Sequence, residues 1–381
     1  MIPYGRQDIT DADLAAVRSV LTSDFLTQGP QVPAFEASVA AAAQAPHAVA
    51  VNSATSALHV ACLALGLGPG RRLWTSPITF VASANVGKLC GAAVDFVDID
   101  PETFNMCKDA LAEKLSAAKR TGTLPDVLMP VHMCGQSADM AEIGALARRY
   151  GVRVVEDASH AIGATYQHRP VGCCDHSDIC VFSFHPVKIV TTAEGGVATT
   201  ADPHVAAAME LARSHGVTRD PALMQGDSDG AWYYQQIALG LNYRMTELQA
   251  ALGVSQMIRL DDYVARRTAL AERYDARLDG LPLARPGRLD GARSAWHLYV
   301  VRVDPARRRE VFDALRADGI GVNVHYIPVH LQPWWRAQGF AERDFPNAEA
   351  YYASAISIPL FPTMTEADQD AVIDALARAL A

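Results

Sequence analysis

The chain has 381 residues, half of them hydrophobic, enough to bury a sizeable core and, by length, to build two domains. Its 33 basic and 42 acidic side chains leave a net charge of −9, which argues against a general nucleic-acid surface and a polybasic membrane patch. Small molecules are the expected partners.

The opening MIPYGRQDIT has neither the basic start nor the apolar stretch of a signal peptide. No run approaches the roughly 18 apolar residues of a membrane span, so the cytoplasm is the expected compartment. Seven cysteines, an odd number, fit reduced and mostly buried thiols better than a disulfide framework. Neither His132 with Cys134 nor Cys173 and Cys174 with His176 has zinc-site spacing, and no metal is expected.

In chain order, Thr10 to Asp13 resembles a capping box, and Leu14, Val17, Val20 and Leu21 follow at helical spacing. Short β-rich runs then alternate with helical patterns: 47–51, 72–76, 93–99, 126–133, 152–156, 179–184 and 197–200. Continuous apolar strands separated by helices predict an α/β fold with a largely parallel sheet covered on both faces. Ligands of such sheets bind at the carboxyl ends of the strands, where Asp157 and Ser183 fall. Residues 215–235 turn polar and glycine-bearing and read as a long functional loop able to reach a neighbouring subunit. One helical stretch, 246–274, precedes a smaller α+β unit with a strand at 296–303, a helix at 305–318, a strand at 320–326 and a last helix from Thr365. The expected division is a large domain, 1–250, and a small one, 251–381.

Chemistry concentrates in a few places. Lys188 lies just beyond the strand at 179–184 and before the Gly195-Gly196 pair, while Asp157 ends the strand run VRVVED. A lysine amine condenses with pyridoxal phosphate as a Schiff base, and a carboxylate on a neighbouring strand keeps the ring nitrogen protonated, so that the ring draws electrons. At Asn52 to Leu58 a strand turns into a helix whose first turn is crowded with small hydroxyl residues. Free N–H groups there favour a phosphate, with Thr55 or Ser56 adding a hydroxyl; simple N-capping by Ser53 is the plainer reading. Phe80, opening the next helix, is placed to lie flat on a pyridine ring or to join the core. His160 is placed to stack on the cofactor or to be an ordinary buried histidine.

The segments NSATSALH, SPITFVASAN, VDFVDID, EDASHAIG, FSFHPVKIVTTAEGG and LNYRMTELQAALG resemble those of the DegT family of sugar-nucleotide aminotransferases, a fold-type-I group using pyridoxal phosphate, nearly end to end. IPYGRQ, SDFLTQGP and NVHYIPVH are similar to its PseC-like branch. The resemblance implies that Lys188 holds the cofactor covalently, that Asp157 pairs with its ring nitrogen, and that Ser183, Ala54 and Thr55 anchor its phosphate. It further implies that Phe80 covers the ring, that His160 contacts it, and that Asn242 completes the phosphate site of a partner subunit in an obligate homodimer. Tyr4, the segment Asp24, Phe25, Leu26 and Thr27, and the segment Asn323, Val324, His325 and Tyr326 would line the sugar-nucleotide pocket. The implied reaction moves an amino group from L-glutamate to C4 of a UDP-linked 4-keto-6-deoxy-N-acetylhexosamine, giving UDP-4-amino-4,6-dideoxy-N-acetyl-β-L-altrosamine, a step of pseudaminic acid synthesis. Another 4-keto or 3-keto nucleotide sugar, or a regulatory protein that binds the cofactor without turnover, are the other readings.

Overall fold

Seven strands form one sheet: β1 (His47–Val51), β2 (Arg72–Thr75), β3 (Ala93–Phe96), β4 (Val127–Met129), β5 (Arg153–Asp157), β6 (Ile179–Ser183) and β7 (Gly196–Thr200). The computed structural model describes all residues, 1–381. Across the sheet the order is β1-β7-β6-β5-β4-β2-β3. Neighbours from β6 to β3 run parallel, whereas β7 is antiparallel to both β1 and β6. The reversal follows from the connection. A parallel return needs a helix-length crossover, and only the loop 184–195 separates β6 from β7.

Helices cover both faces, as the unbroken burial of β4, β6 and β7 requires. Alternation along each strand sorts side chains between the two layers. Val49, Val51, Val155, Ile179 and Val181 pack with α3 (Ala54–Ala64), α4 (Ala82–Leu89) and α7 (Pro203–Arg213). Ala50, Cys180 and Phe182 face α2 (Gln31–Ala43) on the other side, while Leu128 and Val154 face α5 (Lys108–Thr121) and α6 (Met140–Tyr150). By the same parity Asp157 and Ser183 project toward the layer that contains α3. α1 (Asp11–Leu21) begins where Asp13 accepts a hydrogen bond from the Thr10 N–H at 2.9 Å.

The helical stretch read as one at 246–274 is two helices, α8 (Glu247–Met257) and α9 (Leu260–Arg277). Ile258 is left exposed at the break, and the Arg259 guanidinium turns back to donate to Asp13 at 2.7 Å. Beyond them lies a separate apolar cluster built from α9, α10 (Arg308–Ala317), α12 (Glu366–Leu380) and the antiparallel pair β8 (Tyr299–Arg302) and β9 (Ala355–Ile358). The short helix α11 (Pro346–Ser354) leads into β9. The strand expected at 320–326 does not form. Only single rungs exist there, Ile2 with Ile320 and Asn323 with Ser357, because the chain touches the sheet once and then swings toward the mouth of the large sheet. β9, which pairs with β8 instead, was not anticipated. All seven cysteines are free and most are buried. No helix is long and apolar enough to cross a membrane.

Candidate active site

A cavity of about 760 Å³ opens at the carboxyl ends of β5 and β6. Lys188 reaches it from the 184–195 loop. That loop is closed by hydrogen bonds from Phe184 N–H to Gly195 O and from Thr192 N–H to Phe184 O, each 2.9 Å, and a turn bonds Lys188 N–H to His185 O at 2.9 Å. Ile189 and Val190 anchor its far side in the core. The Lys188 amine has no hydrogen-bond partner, and burial pulls its pKa down to about 8 against the opposing pull of Asp157.

Asp157 is 5 % exposed and meets no cation within ion-pair distance. One carboxylate oxygen accepts from the Ser83 hydroxyl at 2.6 Å; the other accepts from the Ser159 hydroxyl at 2.5 Å and the Ser159 N–H at 3.1 Å. Since Ser83 gives its proton to the carboxylate, Thr79 is the donor in the 2.7 Å contact between the two hydroxyls. Pairing Asp157 with Val181 sets β5 and β6 so that the carboxylate and the end of β6 share one floor.

The register also explains the phosphate-sized cradle. Gly196 pairs with Val51 on one side and Ser183 on the other, so Ser183 stands beside the turn where β1 enters α3. Ser53 caps α3 by accepting from Ser56 N–H at 3.1 Å, and the N–H groups of Ala54 and Thr55 stay free. A side chain at Gly196 would lie 2.6 Å from Ala54 N and 2.5 Å from Ser53 O, so only glycine allows this approach.

Around the mouth stand Tyr4, Phe80, His160, His325 and Tyr326. Phe80 is 59 % exposed, an apolar face waiting for a cover. His160 Nε2 and Tyr326 Oη are 3.1 Å apart, with the two rings nearly parallel and 6.1 Å between centroids. Burial first, then the nearby Lys188, holds His160 neutral and takes His325 down to about 4. Tyr4 packs on His325 at 5.3 Å.

Of the residues singled out from sequence, Ala54, Thr55, Phe80, Asp157, His160, Ser183, Lys188, Tyr4, His325 and Tyr326 therefore line one cavity. Asp24, Phe25, Leu26 and Thr27 lie outside the cavity of their own chain and are exposed, as are Asn242 and Asn323, and Val324 also stays off its wall. Ser83, Ser159, Glu194 and His297 were missed. For Ser83 and Ser159 a signal existed: hydroxyls four residues after Thr79 and two after Asp157, at spacings that let side chains meet locally.

A family model described as the DegT/DnrJ/EryC1/StrS aminotransferase family matches residues 7–377. The chain belongs to that family. The spore coat polysaccharide biosynthesis protein SpsC of Bacillus subtilis is 41% identical over 98% of this chain and 96% of its own length. Among solved structures, the putative sugar aminotransferase Spr1654 of Streptococcus pneumoniae in its PMP form is 29% identical with a TM-score of 0.90, covering 100% of this chain and 99% of that one. Helicobacter pylori PseC, described as an aminotransferase involved in pseudoaminic acid biosynthesis, is 28% identical with a TM-score of 0.90 over 100% and 99% of the two chains.

The protein is thus a sugar aminotransferase of fold type I that uses pyridoxal 5'-phosphate. Its cavity suits that group. A buried carboxylate with hydroxyl donors but no cation, an unpaired amine, free N–H groups at a helix start and a bare phenyl face answer the ring nitrogen, aldehyde, phosphate and ring of pyridoxal phosphate in turn.

Proposed function

We propose that the protein transfers an amino group from L-glutamate to C4 of a UDP-linked 4-keto-6-deoxy-N-acetylhexosamine, giving UDP-4-amino-4,6-dideoxy-N-acetyl-β-L-altrosamine. The observation that carries the reading is the convergence of Lys188, Asp157 and the start of α3 in one roomy cavity. The bound cofactor supplies an aldehyde that takes up the amino group and a protonated ring that draws electrons from the carbon losing its proton. The remaining work belongs to the chain.

Asp157, fixed by Ser83 and Ser159, holds the ring nitrogen protonated. Ser183 and the N–H groups of Ala54 and Thr55 hold the phosphate. Phe80 would cover the ring and His160 would contact it. Lys188 attaches the resting cofactor and, once displaced, moves a proton to and from the reacting carbon; a pKa near 8 lets the amine both accept and give at neutral pH. Tyr4, His325 and Tyr326, uncharged at neutral pH, offer hydrogen bonds to sugar hydroxyl and acetamido groups without attracting a counter-ion.

The likeness to PseC supports the substrate, and an exposed Asn242 supports a homodimer in which that residue and the segment 24–27 serve the partner's site. Exposed Phe25, Leu26, Trp232, Tyr234 and Leu239 are the apolar surface such a dimer would cover. The higher identity to SpsC favours a second reading, amination of another 4-keto or 3-keto nucleotide sugar. Incubation with glutamate and a panel of 4-keto and 3-keto UDP- and dTDP-sugars, followed by NMR of the product, separates the two. Amination of only a dTDP-sugar, or at C3, would overturn the first reading. Borohydride reduction of the loaded protein should fix the cofactor on the peptide containing Lys188 and no other.

A further inference from the structure

His297 lines the cavity, yet no feature of its local sequence marks it. Its ring packs on His160 with 4.3 Å between centroids and 43° between planes. His160 therefore contacts both a tyrosine and a second histidine. Its Nε2 meets Tyr326, but its Nδ1 is buried without a partner, and the Nδ1 of His297 is too. A buried structural histidine ordinarily has its polar atoms paired. With a single hydrogen bond to orient it, the His160 ring takes its tilt from the ring behind it.

The backbone carrying His297 is held at some expense. Trp296 adopts a left-handed φ of 52°, unfavourable for a bulky residue. The carbonyls of Trp296 and His297 accept from Arg267 at 3.2 and 3.3 Å, and that guanidinium is fully buried with no carboxylate opposite it. Gly135 completes the seat: a Cβ there would lie 2.9 Å from His160 O, Trp296 N and His297 N alike. Strain, a buried lone cation and an obligatory glycine converge on one peptide, the pattern of a site whose geometry matters more than its stability.

We propose that His297 is a positioning residue for transamination: it backs the His160 imidazole and fixes the angle at which that ring meets the cofactor. The inference rests on the reading of this cavity as the cofactor site.

The test uses H297L, which keeps buried volume but removes the flat ring, and H297F, which restores a flat ring. Each is loaded with pyridoxal phosphate. The rate of cofactor release under dialysis, the absorbance maximum of the bound cofactor and the melting temperature of the apoprotein are then measured. H297L should release cofactor about fivefold faster, the size of one ring-packing contact, with a shifted absorbance and an unchanged apoprotein melt. H297F should return release to within about twofold of wild type. In an H160A background, H297L should add nothing. Wild-type release from H297L, equally fast release from H297F, or an undiminished H297L effect beside H160A would each overturn the proposal. Wild-type protein that takes up no cofactor would sink the site assignment and this inference together. Should H297L give no folded apoprotein, H297M, which fills volume flexibly, carries the same arms.

Discussion

Ser83 donates its hydroxyl proton to the buried carboxylate of Asp157 at 2.6 Å while accepting from Thr79 at 2.7 Å, so a helix start on one strand's exit orients an acid on another. A hydrogen bond to a charged group contributes about 1.5–3 kcal/mol. Ser83→Ala should therefore lower turnover and cofactor affinity by roughly tenfold to a hundredfold while the protein still folds. Cofactor titration and steady-state kinetics read this directly, and wild-type values for both would show that Ser159 alone holds the carboxylate.

The depressed pKa of Lys188 also has a consequence for folding. In the native apoprotein the amine holds its proton only below about 8, whereas in the unfolded chain it does so to about 10.4. Between those values the unfolded chain binds more protons, so stability rises with pH across that window, and the penalty is fully present below it. Allowing for the side chain's partial exposure, Lys188→Met should stabilise the apoprotein by about 1–2 kcal/mol at pH 7. The gain should fade toward pH 10.5. Urea unfolding at pH 7 and near pH 10 would detect this, and a variant less stable than wild type at pH 7 refutes it.

Gly196→Ala should separate the phosphate cradle from the rest of the site. The added methyl meets Ala54 N at 2.6 Å, forcing β7 and the start of α3 apart. Overpacking of this kind costs about 1–3 kcal/mol. Affinity for pyridoxal phosphate should fall at least tenfold, but affinity for pyridoxal, which lacks the phosphate, should barely change. Equal losses for both would mean that the whole cavity had collapsed.

The local parts of this molecule were readable because local rules produce them. Continuous apolar runs marked β1, β5 and β6, and their carboxyl ends placed Asp157 and Ser183 correctly. Lys188 stood out only together with Asp157 on a neighbouring strand, since a lysine there taken alone reads as an ordinary surface residue. What was missed depends on distant partners. Arg259, at the break between α8 and α9, bonds Asp13 far along the chain, and residues 320–326 meet β9 at the single rung Asn323–Ser357 before His325 and Tyr326 turn into the cavity wall. His297 enters the site through Arg267 and Gly135, neither of which its own neighbourhood reveals.

Asn242 offers the most discriminating test of the assembly. It is exposed and absent from the cavity of its own chain, although its neighbour Tyr243 accepts from Asn52 N–H at 2.8 Å, one step from the α3 cradle. If two copies exchange this residue, Asn242→Ala should weaken cofactor binding without disturbing the fold, and Lys188→Ala should be inactive. Co-expressed, the two variants form mixed dimers in which one site has both its own Lys188 and a partner's intact Asn242. Activity should return to roughly a quarter of wild type: half of randomly assembled dimers are mixed, and each has one complete site. Recovery no greater than the sum of the separate variants, in a preparation shown by sedimentation to contain mixed dimers, would mean that each chain builds its phosphate site alone.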